Sequence, residues 1–166
     1  MKSWSMVLGL LVLCGHVHAQ PMTWQPAAGH TQEPIWPGTP PDALPMPESE
    51  YARTNAKSLI GGKTVVAIGN VSQLTMTVYA PKGKNIDAAV VVFPGGGFQI
   101  LAMDFEGTEI WDWLTSNGIT CVLLKYRVPS TPYDWHCNCR PHNLEVPLPS
   151  LKDAQRTIGL VRLHAT

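Results

Sequence analysis

Three consecutive glycines, Gly95, Gly96 and Gly97, stand between Phe93-Pro94 and Phe98. Glycine is costly in chain entropy, so such a run is useful where backbone must approach a ligand with its N–H groups facing it. Donors of that kind can hold the negative oxygen of a tetrahedral intermediate, which makes Gly96 and Gly97 candidates for an oxyanion hole in a loop with Pro94, Gly95 and Phe98. A phosphate cradle is the competing chemistry, but neither G-x-x-x-x-G-K-[ST] nor G-x-G-x-x-G occurs here. A turn without a ligand is the plainer alternative.

A second cluster, His136-Cys137-Asn138-Cys139-Arg140-Pro141-His142, packs two thiols and two imidazoles into one short segment. Zinc would suit those atoms, yet the spacing is not a C-x-x-C knuckle and no further ligand pair follows. A disulfide holding a long loop is expected, and no metal or cofactor. Cys121, inside an apolar run, reads as a small core residue.

Serine hydrolysis needs an activated hydroxyl on a sharp strand-to-helix turn, a histidine and a carboxylate. None of the eight serines lies in G-x-S-x-G. His136 and His142 fall in a proline-containing loop, and His164 is expected to be exposed at a helix end. No residue of this chain is assigned as a catalytic nucleophile, acid or base.

The elements that must position the glycine loop are legible from apolar patterning. Ala88 to Phe93 and Ile119 to Leu124 are apolar without alternation, as in strands covered on both faces. Between them Glu106 to Ser116 places Ile110, Trp113 and Leu114 at helical spacing, with Asp104 and Glu106 near the positive helix start. Strand, helix and strand at this spacing make a βαβ unit, and open α/β sheets place their sites where the glycines fall, beyond the strand's carboxyl end. Upstream, Thr64 to Ile68 and Leu74 to Tyr79 predict a half-buried antiparallel pair, the second with Leu74, Met76 and Val78 on one face. The turn between them holds the formal sequon Asn70-Val71-Ser72, a three-residue match of little weight. Downstream, Ser150 reads as an N-cap, with Asp153 in a capping-box-like position and Ile158, Val161 and Leu163 along an apolar stripe.

The N-terminus has a different character. Lys2, the apolar run Met6 to Gly15 and the small-residue site at Val17-His18-Ala19 predict a secretory signal peptide over residues 1–19, too short for a membrane span of about 20 apolar residues. Residues 20–62 follow as a proline-rich arm, with eight of the fifteen prolines between Pro21 and Pro47. Trp24 and Trp36 are expected to pin that arm to the domain, the alternative being to stack on a sugar. Residues 63–166 form the domain itself. With 12 basic and 12 acidic residues in 166, the chain lacks the footprint of a nucleic-acid binder. A single exported domain is expected, secreted or periplasmic, with no membrane contact after cleavage.

Seven separated blocks carry a resemblance: Pro94-Gly95-Gly96-Gly97-Phe98, Leu101-Ala102, Glu106-Gly107, Trp113-Leu114, Gly118-Ile119, Leu124-Lys125-Tyr126-Arg127-Val128-Pro129 and Asp153-Ala154-Gln155-Arg156. In order and spacing, over residues 65–165, they resemble the N-terminal half of α/β-hydrolase serine esterases, in the exported branch that includes acetylxylan esterases. Phe93-Pro94 stands where many relatives in the wider superfamily have His before the glycines. The resemblance implies a partial α/β-hydrolase fold, antiparallel strands followed by βαβα of a mainly parallel sheet, stopping before the nucleophile strand. It implies that Gly96 and Gly97 supply oxyanion-hole amides beside the N–H following the nucleophile. Tyr126 and Arg127 would sit at the end of the next strand, Arg127 bracing the loop. Asp153 and Arg156 would form a local pair or anchor their helix to a neighbouring loop.

The expected function is an exported carboxylic-ester hydrolase acting on acylated carbohydrate or another small ester. This chain would carry the oxyanion loop without the triad, be inactive alone, and be marginally stable without a missing C-terminal half. The alternative is a non-catalytic remnant, or a carbohydrate-binding module using Trp24, Trp36 and Trp135.

Overall fold

The computed structural model describes residues 23–43, 48–128 and 148–165. Among the described residues seven strands and two α-helices make a mixed α/β fold: β1 (Glu33–Pro34), β2 (Tyr51–Ile60), β3 (Lys63–Gly69), β4 (Thr75–Tyr79), β5 (Ala89–Val92), β6 (Leu101–Ala102), α1 (Glu109–Ser116), β7 (Thr120–Lys125) and α2 (Leu148–His164). The segments predicted as a signal peptide and as a disulfide loop lie outside the described residues.

One sheet has the order β1-β4-β7-β5 and the other β2-β3-β6. The βαβ unit read from the sequence is present, since β5 and β7 are parallel, with Val92 opposite Leu123. Parallel neighbours need a crossover, and α1 provides it. The expected covering of both faces holds for β7, where Cys121 to Lys125 are buried. It does not hold for β5: Val90 and the following Phe93 are each 40% exposed, because β5 lies at the sheet edge.

The predicted pairing of 64–68 with 74–79 is overturned. β3 pairs with β2 and β6, whereas β4 pairs with β1 and β7. The chain changes sheet at Asn70 to Gln73. There Asn70 takes a left-handed φ of 51°, and the buried Glu50 carboxylate accepts hydrogen bonds from the amides of Ser72 and Gln73, both 3.1 Å. The single apolar face expected of β4 fails as well. Thr75, Thr77 and Tyr79 are buried with Leu74 and Met76, while Val78 is 42% exposed. As a central strand β4 is covered on both faces, except where Val78 faces an open groove.

Within the stretch expected as an arm, the described residues of the proline-rich part carry the two-residue β1, and the ten-residue β2 begins past Pro47. Ile35 is almost wholly buried, and Trp24 and Trp36 pack against the core.

Both helices seat differently from their predicted stripes. A π-helical turn, Asp104–Thr108, precedes α1, so the residues read as its first turn are wound wider. On α1 itself Leu114 and Thr115 are buried, whereas Ile110 is 39% and Trp113 63% exposed. In α2 the buried residues are Ser150, Asp153 and Thr157. These lie at i, i+3 and i+7 of one face, and Leu163 is 72% exposed. Of the predicted stripe Val161 packs against the core beside Leu160, and the fully buried positions are polar, which a hydrophobic stripe does not reveal. Ser150 is inside the helix and its hydroxyl donates to the Arg127 carbonyl at 2.6 Å, so it does not cap.

Candidate functional site

The glycine loop leaves the carboxyl end of β5 beside the carboxyl end of β7, the place where parallel sheets gather their sites. Its conformation belongs to glycine: φ is 147° at Gly96 and 62° at Gly97. A side chain at Gly96 would run into the Ile100 carbonyl. Phe98 continues the left-handed path at φ 60°, a costly choice for an aromatic residue and a mark of a loop held in place.

The loop's carbonyls are spoken for. Ala102 N donates to the Gly95 carbonyl at 2.9 Å, and Gln99 N and Ile100 N donate to the Gly96 carbonyl at 3.1 and 3.3 Å. All described peptide bonds are trans, so each carbonyl points opposite the next residue's N–H. With the Gly95 and Gly96 carbonyls turned toward residues 99–102, the amides of Gly96 and Gly97 face the other way. No described residue accepts a hydrogen bond from either. Two adjacent N–H groups without a described acceptor are donors available to an anion.

Two side chains hold the base of the loop. The buried Tyr126 hydroxyl donates to the Pro94 carbonyl at 2.6 Å. Burial, and next the charge of nearby Glu106, push the Tyr126 phenol up to about 12, so it stays a donor. Gly95 N donates to a Glu106 carboxylate oxygen at 2.8 Å. A Cβ at position 95 would collide with that carboxylate. Glu106 reaches back because the π-turn displaces it, with Thr108 N bonding the Met103 carbonyl five residues earlier at 2.9 Å. Asp104 from the same turn accepts from Val66 N at 2.9 Å and from Phe105 N at 2.8 Å. The two acids therefore act as acceptors that tie the turn to β3 and to the glycine loop.

Arg127 does not brace the glycine loop. Its guanidinium forms a two-pronged pair with Asp153, Nε to Oδ2 at 2.9 Å and Nη2 to Oδ1 at 2.8 Å, and donates to the carbonyls of Pro41 and Pro149. The Asp153 carboxylate is fully buried and also accepts from Arg127 N at 3.1 Å and Trp36 Nε1 at 2.8 Å. Asp153 and Arg156 thus form no local pair. Arg156 instead donates to the Ile35 carbonyl at 3.0 Å and lies over the Trp36 ring, anchoring α2 to the N-terminal stretch. Trp36, with its indole N–H committed, serves as a pin, while Trp135 lies outside the described residues.

Sequence reasoning missed Glu106 as a loop acceptor and missed the buried ion pair of Lys125 with Glu50, 2.6 Å long. A lysine ending an apolar strand is the one signal that a buried partner was needed. Among the described residues no three His, Cys, Asp or Glu side chains gather as metal ligands. His164 is exposed. An open groove of about 1050 Å³, lined by Val78, Asp87, Val122 and Val161 among others, does not include the glycine loop.

No family model matches the chain. An acetylxylan esterase of Xylanibacter ruminicola is 30% identical over 67 residues, which cover 40% of this chain and 14% of that protein. The crystal structure of an acetyl ester-xyloside bifunctional hydrolase from Caldicellulosiruptor lactoaceticus aligns over 81% of this chain and 36% of that chain, with 24% identity and a TM-score of 0.45. The chain spans about a seventh of the curated relative's length and about a third of the solved one's. Over those 67 residues the similarity is to an esterase, at low identity. Among the described residues no helix is long and apolar enough to cross a membrane.

Proposed function

We propose that this chain carries the oxyanion-binding part of an exported carboxylic-ester hydrolase of α/β-hydrolase type that deacylates carbohydrate esters. The observation that supports this reading is the pair of outward-facing Gly96 and Gly97 amides at the carboxyl end of a parallel strand. When a nucleophile attacks an ester carbonyl, the carbonyl oxygen becomes negative, and preorganised N–H donors stabilise that charge more than the neutral substrate. In this reading the two amides bind the oxygen, Tyr126 and Glu106 support the loop, and Pro94, Gly95 and Phe98 complete it. Arg127, Asp153 and Arg156 hold the scaffold. The nucleophile and its base are supplied by sequence outside these residues. The carbohydrate part of the substrate follows the similarity to an acetylxylan esterase.

Titrating the ¹⁵N-labelled chain with sodium acetate, the product of deacetylation, tests the anion site. The amide resonances of Gly96 and Gly97 are expected to move saturably with acetate and not with chloride at equal ionic strength. Indifference of both resonances overturns the reading.

A further inference from the structure

The Pro94–Gly95 peptide is gripped on both of its polar edges. Its carbonyl accepts from the Tyr126 hydroxyl at 2.6 Å, and its N–H donates to Glu106 at 2.8 Å. Because the peptide is planar and trans, these two bonds point in opposite directions and fix the rotation of the plane about the chain. Rotation of this plane redirects every bond that follows, including the two peptides that carry the Gly96 and Gly97 amides. Glycine itself offers no resistance to such rotation, having no Cβ to restrict φ and ψ. The restraint must come from outside the loop.

Tyr126 comes from the end of β7, locked by its five-residue antiparallel register with β4. Glu106 comes from the π-turn, tied to β3 through Asp104. The two supports belong to different elements, so the loop's aim is referred to both the four-stranded and the three-stranded sheet.

We infer that Tyr126 and Glu106 are positioning residues that orient the Gly96 and Gly97 amides by clamping the Pro94–Gly95 peptide. This inference rests on the oxyanion reading of those amides. Glu106 acts through geometry and against its own charge, because a carboxylate beside an anion site repels the ligand. Glutamine in its place keeps an acceptor for Gly95 N–H and removes the repulsion, whereas alanine removes the acceptor.

Three variants of the full chain test the clamp by amide exchange and by the resonances of Gly96 and Gly97 without acetate. In Glu106→Ala the Gly95 amide is expected to exchange roughly tenfold faster, the effect of losing one charge-assisted hydrogen bond. The Gly96 and Gly97 resonances move with it. Glu106→Gln restores both to near the wild-type pattern, and Tyr126→Phe moves the Gly96 and Gly97 resonances through the carbonyl edge. Resonances of β4 and β7 report whether each variant is folded. Unchanged Gly95 exchange in Glu106→Ala, or Gly96 and Gly97 resonances unmoved in both Glu106→Ala and Tyr126→Phe, overturns the clamp. Failure of the oxyanion reading has a different signature: the clamp effects persist while wild-type Gly96 and Gly97 ignore acetate.

Discussion

Tyr126 shows how much a single residue can carry. Its hydroxyl is useful only as a neutral donor, and burial secures that state well beyond physiological pH. The same burial holds the Cys121 thiol up to about 12 and, with Cys121 nearby, the Tyr79 phenol up to about 12. Each group therefore keeps its proton in the folded chain at a pH where the unfolded chain releases it, from the ordinary values of 9.0 for the thiol and 10.0 for the phenols. Stability contributed by these groups is full below about pH 9 and is lost progressively as pH rises toward 12. The urea midpoint is expected to fall between pH 9 and 11, and Cys121→Ala is expected to flatten the first part of that fall. A midpoint independent of pH over this range contradicts the buried, protonated state. In the sequence the glycine triplet and Tyr126 are visible as candidates. Glu106 was visible only as a helix-start acid, because residue type cannot tell dipole compensation from a tertiary hydrogen bond.

Among the elements, β5, α1 and β7 were readable because each has a local signature: an unbroken apolar run, a helical period and a glycine stop. The stop is a complete C-cap. Gly118 at φ 79° donates to Thr115 O at 3.3 Å, and Ile119 N donates to Leu114 O at 3.0 Å, the two bonds of a Schellman motif. A side chain at position 118 would also meet the Lys84 carbonyl. Gly118→Ala is expected to destabilise the fold by about 1–3 kcal/mol, the cost of a strained left-handed residue. A urea midpoint equal to wild type would show that the cap is dispensable. Pairing was not readable. Alternation over 74–79 reports that a strand exists and which side chains share a face, but it names no neighbour. The deciding group, Glu50, lies more than twenty residues upstream of the turn it shapes. Likewise the stripe of α2 includes Val161, which packs against the core, but does not show the polar face that meets Arg127 and Trp36.

At the scale of the whole molecule, the N-terminal stretch is a strap fastened at charged points to the end of β7 and to α2. Trp36 and the Pro41 carbonyl meet the Asp153–Arg127 pair, Asp42 pairs with Lys152 at the surface, and Glu50 pairs with Lys125 in the interior. The surface pair adds little, since exposed ion pairs contribute roughly 0–1 kcal/mol. The interior pair is different: both side chains are at most 3% exposed, and Glu50 uses its second oxygen on the Ser72 and Gln73 amides. Lys125→Met leaves that carboxylate buried without its cation and is expected to cost about 3–5 kcal/mol. Glu50→Gln in the same chain keeps an acceptor for the amides and removes the orphaned charge. The double variant is therefore expected to be more stable than Lys125→Met alone, with a coupling of roughly 1–3 kcal/mol in a double-mutant cycle read by urea unfolding. Additive costs would mean that Lys125 and Glu50 do not stabilise the fold as a pair, leaving the strap to its contacts with Asp153, Arg127 and Arg156.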